Sequence, residues 1–113
     1  MNWKNLESVD QLDALIKASF DKPIAIFKHS TRCSISSMSL SRIERNWDAL
    51  PTDFDLYYLD LLTYRPVSDA IAFKLGVEHQ SPQLLLIENG QCTYHANHSE
   101  ISISELLPLL KAS

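Results

Sequence analysis

The run Pro23-Ile24-Ala25-Ile26-Phe27 is apolar at every position and ends abruptly in Lys28-His29-Ser30-Thr31-Arg32. A short, uninterrupted apolar run of this kind reads as a strand buried on both faces. A chain built around such a strand must lay apolar segments over each side, and the flanking sequence supplies them. Val9, Leu12, Leu15, Ile16 and Phe20 recur at three- and four-residue spacing behind Ser8-Val9-Asp10-Gln11, whose serine and glutamine have capping-box spacing, so a helix is predicted over 8–19. Beyond the strand, Ile35, Met38, Ile43, Trp47 and Leu50 form one stripe of a second helix from Cys33 to about Leu50, with Arg42, Glu44 and Arg45 toward solvent and Pro51 as its stop.

The rest of the chain continues the alternation. Phe54-Asp55-Leu56-Tyr57-Tyr58-Leu59-Asp60 is rich in aromatic residues and reads as a strand. Pro66 suits the first turn of a helix running to Gly76, which would cap it. Gln83 to Ile87 and Gln91 to His95 flank Asn89-Gly90, the signature of a tight hairpin. Ser102 to Glu105, again with capping-box spacing, opens a closing helix carrying Leu106, Leu107, Leu109 and Leu110. A helix joins the first two strands, which should therefore be parallel, and the hairpin adds an antiparallel edge. The expected fold is α/β: a small, mixed, four-stranded sheet covered by helices on both faces, forming one domain over 1–113.

With 113 residues, 45% of them hydrophobic and only two glycines, the chain has the composition of one folded domain. Its net charge of −4 argues against nucleic acid as a partner. No apolar run reaches membrane-spanning length and Met1-Asn2-Trp3-Lys4-Asn5 lacks the core of a secretion signal, so a cytoplasmic protein is expected, and a monomer, because no apolar stripe is left over. The histidines at 29, 79, 95 and 98 lack zinc-site spacing, and glycines at 76 and 90 alone cannot build a phosphate loop. No metal and no bound cofactor are expected. His95 and His98 read as surface residues, and Trp3 and Trp47 as anchors of the core or its edge.

Cys33 stands where the buried strand gives way to a helix, a place where unpaired N–H groups and the positive end of the helix dipole favour a thiolate. Arg32 adjoins it, and Lys28 and His29 are near. Cys92 falls inside a predicted strand, with Tyr94 and Ala96 on the same face, and reads as inert packing. Cys33-Ser34-Ile35-Ser36 has the form of a dithiol motif with serine in place of the resolving thiol. A mixed disulfide on Cys33 then requires a second small thiol or another protein to clear it. Ser36 has two readings, a hydrogen bond to the sulfur or one to first-turn backbone. Pro82 can begin the third strand without losing a ladder hydrogen bond, and His79 would flank the cleft.

These residues resemble the YtxJ-type monothiol bacilliredoxins of the thioredoxin superfamily. The likeness rests on Ile26-Phe27-Lys28-His29-Ser30-Thr31 leading into Cys33-Ser34-Ile35-Ser36, and on Val77-Glu78-His79-Gln80-Ser81-Pro82-Gln83 before the third strand. It implies a thioredoxin-like fold, room for a short extra N-terminal strand, and a cis Ser81–Pro82 bond whose loop offers Ser81 backbone to a substrate beside Cys33. It implies in addition that Cys33 removes a low-molecular-weight thiol, bacillithiol or another such as glutathione or coenzyme A, from mixed disulfides on client proteins. Cys33, Ser36 and Arg32 would be the catalytic residues. Ser81, Pro82, Lys28, His29 and His79 would bind substrate, with Lys28 and Arg32 as counter-charges to an anionic thiol. Some members have Thr-Cys-Pro-Ile-Ser where this chain has Arg32-Cys33-Ser34-Ile35-Ser36, so the sulfur's immediate neighbours differ. Two alternatives stand beside this reading: a non-catalytic thioredoxin-like binding module, and a redox protein using a Cys33–Cys92 disulfide.

Overall fold

The computed structural model describes residues 3–111. In chain order the elements are β1 (Lys4–Asn5), α1 (Val9–Ala18), β2 (Ile24–His29), α2 (Ser34–Arg45), β3 (Asp55–Asp60), α3 (Arg65–Leu75), β4 (Gln83–Glu88), β5 (Gln91–Asn97) and α4 (Ile103–Lys111). Short 3-10 turns at Trp47–Ala49 and His98–Glu100 follow α2 and β5. The strands form one sheet in the order β1-β3-β2-β4-β5, with β3 parallel to both β1 and β2, and β4 antiparallel to β2 and β5. The two-residue β1 is the extra N-terminal strand.

β2 occupies the centre, and every one of its six residues is buried. Because side chains alternate across a strand, its apolar residues feed two cores. Ile24 and Ile26 meet Leu59, Leu85 and Ile87 under Leu12 and Leu15 of α1 and Val67 and Ile71 of α3. Ala25 and Phe27 meet Leu56, Leu84, Leu86 and Ala96 under Ile43 of α2 and Leu106 of α4. Trp3 and Trp47 close the second core at its edge, their rings 4.9 Å apart.

Local signals set the element ends. Ser8 caps α1, its Oγ accepting from Gln11 N–H at 3.1 Å. Gly76 ends α3 in the left-handed region, with φ +66°, a conformation most side chains resist. Asn89 and Gly90 both have positive φ, as the tightest hairpin turns demand.

Three expectations about packing need correction. α1 ends at Ala18, so Phe20 is not on its buried stripe. It is 63% exposed and lies over the hairpin turn, where a Cβ on Gly90 would come within 2.7 Å of its ring. α2 ends at Arg45, and the 3-10 turn rather than α-helix carries Trp47 toward Pro51. Cys92 does not share a face with Tyr94 and Ala96. The ladder pairs Leu86 with Tyr94 but Ile87 with Cys92, so Thr93 is an extra residue that reverses the alternation. Cys92 packs on the α1/α3 core, while Tyr94 and Ala96 pack on the α2/α4 core.

Candidate active site

The topology brings three loops to one edge of the sheet. β2 and β3 are parallel, so residues 30–33 and 61–64 leave the sheet together, and β4 runs the other way, so residues 76–82 arrive there. Leu61 N–H donates to His29 C=O at 3.0 Å and ties the first two loops. Ligands of open α/β sheets bind beyond the carboxyl ends of parallel strands.

Cys33 is the N-cap of α2 and is half-buried. Its backbone is fixed on both sides: its N–H donates to Ser30 C=O at 3.2 Å, and its C=O accepts from Ser37 N–H at 3.1 Å. The side chain makes no capping hydrogen bond. Arg32 is exposed beside it. Ile35 and Met38, expected on the packed stripe of α2, are instead exposed on its outer face, where Ser36, Ser39 and Ile43 take the buried side, and Leu62 on the β3–α3 loop is exposed as well.

Ser36 is fully buried. Its Oγ accepts from Ser30 N–H at 3.0 Å and lies 2.7 Å from His29 Nδ1. Of the two readings of Ser36, the one with a backbone partner is observed, the donor being Ser30 N–H ahead of the helix, and Ser36 points inward, toward the end of β2. His29 is buried as well, its ring between those of Phe27 and Tyr58 at 5.8 and 5.5 Å. Burial lowers its pKa, which Asp60 and Glu44 oppose, so the ring is neutral at neutral pH.

Lys28 is completely buried on the opposite face of the sheet, directly across from Gln83. Its Nζ has no hydrogen-bond partner, and burial lowers its pKa to about 8, with Asp69 opposing. The expectation that Lys28 and His29 meet a substrate at the surface therefore fails: both lie within the sheet's covered faces. His79 is exposed on the third loop, its Nδ1 3.4 Å from Ser68 Oγ; partial burial, then Lys28 and Arg65, lower its pKa.

The Ser81–Pro82 peptide is cis. Ser81 is partly buried and precedes the ladder, and Pro82 is buried, its C=O accepting from His98 N–H at 3.0 Å. His98 is thus partly buried rather than a surface residue, whereas His95 is exposed. Gln83, which sequence reasoning passed over, pins this loop: its Nε2 donates to Glu78 C=O at 3.0 Å and to Asn97 Oδ1 at 3.1 Å. The signal was a polar residue at the mouth of an apolar strand, matching Lys28 at the end of its neighbour. Asp60 was also missed. Its carboxylate accepts from Leu62 and Thr63 N–H and shapes the middle loop.

Cys92 belongs elsewhere. Its partner Ile87 pairs with Ile24, at the start of β2, whereas Cys33 follows the strand's end. From Ile24 to His29 the strand extends about 16 Å. A disulfide needs Cα atoms within about 7 Å, so both cysteines are free and the Cys33–Cys92 alternative falls. Burial raises the Cys92 pKa, in keeping with an inert thiol. Among the described residues no cluster of His, Cys, Asp or Glu could hold a metal ion, and no helix is long and apolar enough to cross a membrane.

A parallel β-α-β core, an antiparallel hairpin and a cysteine opening α2 opposite a proline loop define the thioredoxin fold and its thiol-redox class. Solved structures agree. One described as a candidate oxidoreductase with a thioredoxin fold is 32% identical, with a TM-score of 0.79 over 92% of this chain and 89% of that one. Thioredoxin from Malassezia sympodialis matches at 20% identity and TM-score 0.72 over 98% and 90%, and that of Fasciola hepatica at 15% and 0.72 over 96% and 97%. The model of the monothiol bacilliredoxin BrxC family matches residues 4–106, and the chain belongs to that family.

Proposed function

We propose that the protein removes a low-molecular-weight thiol, bacillithiol in the first instance, from mixed disulfides on client proteins. The observation that carries this reading is a single half-buried cysteine opening α2, with a buried serine where a second thiol would stand and the other cysteine at the far end of the sheet. The Cys33 thiolate attacks the small thiol's sulfur. The client sulfur leaves as a thiolate and takes up a proton, and Cys33 keeps the small thiol. A second small thiolate then attacks that adduct, forming a symmetrical small-molecule disulfide and freeing the Cys33 thiolate. Cys33 at the start of α2 supplies the attacking sulfur, the exposed Arg32 precedes it as the counter-charge, and Ser81, Pro82 and His79, on the loop that arrives at the same edge, are the residues we assign to the substrate. With Lys28 buried, Arg32 is the exposed counter-charge for an anionic thiol.

The test is to mix the reduced protein with a client carrying a bacillithiol mixed disulfide, without free small thiol, and to identify the products by mass. The reading predicts free client and a bacillithiol adduct on Cys33. A client–Cys33 disulfide with bacillithiol released would mean attack on the wrong sulfur and would reject it. Unchanged components, with Cys33 intact, would favour the non-catalytic binding module.

A further inference from the structure

The Lys28 ammonium is fully buried, has no hydrogen-bond partner and carries its charge at pH 7. Residues that cost stability in this way collect at functional sites. A chain of contacts joins Lys28 to one. Gln83, directly across the ladder, donates to Glu78 C=O at 3.0 Å, and the next residue, His79, rests on α3 with Nδ1 3.4 Å from Ser68 Oγ. Arg65, exposed, lies one turn before Ser68 on the same helix. Lys28, His79 and Arg65 therefore gather where the third loop meets the start of α3. We propose that this cluster is the subsite for a carboxylate of the low-molecular-weight thiol, Arg65 and His79 meeting the anion while Lys28 adds charge from beneath. The proposal rests on the exchange reaction above and gives it a means of telling the small thiol from the client.

The local charge suits an anion although the chain as a whole carries −4. Lys28 and Arg65 both lower the His79 pKa, and the acid opposing them, at His79 and at Lys28 alike, is Asp69. Glu78 is exposed on the same loop, and the charges felt at His79 are those of Lys28, Arg65 and Asp69. Among the described residues Arg65 has no ion-pair partner, so its guanidinium is free to take a carboxylate through two parallel N–H groups. Tyr64 gives α3 no side-chain cap, and the positive end of that helix adds to the same field. Lys28 touches no ligand. It acts through its field, which weakens less through protein than through water.

The subsite bears on which sulfur is attacked. It lies on the edge where residues 30–33 and 61–64 also emerge. A carboxylate held there keeps the small thiol against this protein, with its sulfur toward Cys33 and the client sulfur outward as the leaving group. No bond forms or breaks at the subsite itself.

The experiment compares the rates at which the full chain exchanges with bacillithiol disulfide and with the same disulfide after methyl esterification of its carboxylates, at pH 7 and low salt. The ratio of the two rates cancels any change in Cys33 itself. Arg65→Gln should lower the ratio about tenfold, the scale of a hydrogen bond between charged groups. Lys28→Met should lower it about threefold, as a charge acting at a distance does, even though it is the more stable protein. Lys74→Gln removes one charge from the far end of α3, where the ammonium pairs with Asp13 at 2.9 Å, and should leave the ratio unchanged. A ratio that Arg65→Gln and Lys28→Met do not move, or that Lys74→Gln lowers equally, would overturn the proposal. Variants that slow discharge of an acidic client but not of bacillithiol disulfide would overturn it as well and assign the cluster to the client. A second readout leaves the cluster intact: by NMR, the His79 ring should titrate at higher pH in the Cys33–bacillithiol adduct than in the esterified adduct, because a nearby carboxylate favours the charged ring. Equal midpoints would sink the subsite. If the native protein exchanges with neither disulfide, the reaction itself fails, a result distinct from exchange that ignores the carboxylates.

Discussion

Cys33→Ser is expected to lower thiol–disulfide exchange by about a thousandfold or more, to the uncatalysed level, because it removes the thiol at the convergent edge of the sheet. Cys92→Ser should stay within about twofold of the native rate. Cys92 packs on the α1/α3 core, its Sγ donates to Tyr94 C=O at 3.3 Å, and burial holds it as a thiol. Stopped-flow discharge of a fluorescent low-molecular-weight disulfide checks both variants. A hydroxyl at position 33 should leave the fold intact, since the native side chain forms no capping hydrogen bond and serine is among the preferred N-cap residues. Loss of exchange with an unchanged melting temperature therefore isolates chemistry from stability. A large loss in Cys92→Ser would contradict the assignment of the two cysteines.

Lys28→Met is expected to stabilise the protein at neutral pH by about 2–3 kcal/mol. Lys28 is fully buried with an unpartnered Nζ, and its folded-state pKa of about 8 lies below its ordinary value of 10.5. Each pKa unit corresponds to about 1.4 kcal/mol, so the charged form is disfavoured by about 3 kcal/mol on folding, the net of burial and the opposing Asp69. Below pH 8 both folded and unfolded chains carry the proton, and the whole penalty is present. Between about 8 and 10.5 the unfolded chain still binds it while the folded chain has lost it, so native stability rises with pH and the advantage of methionine shrinks. Urea denaturation at pH 7 and above pH 10 measures the difference. Equal gains at the two pH values would mean that the ammonium is solvated or paired. A destabilised variant at pH 7 would mean that the charge supports the loop above it.

The architecture was legible because its signals are local and agree with one another. The apolar run at 23–27, the stripe on α1, the left-handed Gly76 and the Asn89-Gly90 turn each fix an element without reference to the rest of the chain. Cys33 at the strand-to-helix junction was legible for the same reason. What escaped depends on depth or on a single inserted residue. Thr93 makes a bulge, and a one-residue slip sends every earlier side chain of β5 to the other face, so Cys92 parts company with Tyr94. Lys28 and His29 follow an apolar run and resemble a polar strand exit. Burial continues through Ser30, however, because Gln83 and Leu59 flank Lys28 on neighbouring strands while α2 and β3 enclose His29. Ser36 was placed correctly in sequence but not in direction, since nothing local reveals that its partner is a histidine seven residues earlier.

The most direct measurement is the intact mass of the reduced protein after exposure to a symmetrical low-molecular-weight disulfide, followed by peptide mapping. One small-thiol adduct should form, on Cys33, and persist until fresh small thiol is added, because the other cysteine, Cys92, lies at the far end of the sheet. Rapid loss of the adduct without added thiol, an internal bond between Cys33 and Cys92, or modification of Cys92 with Cys33 left free would contradict the account.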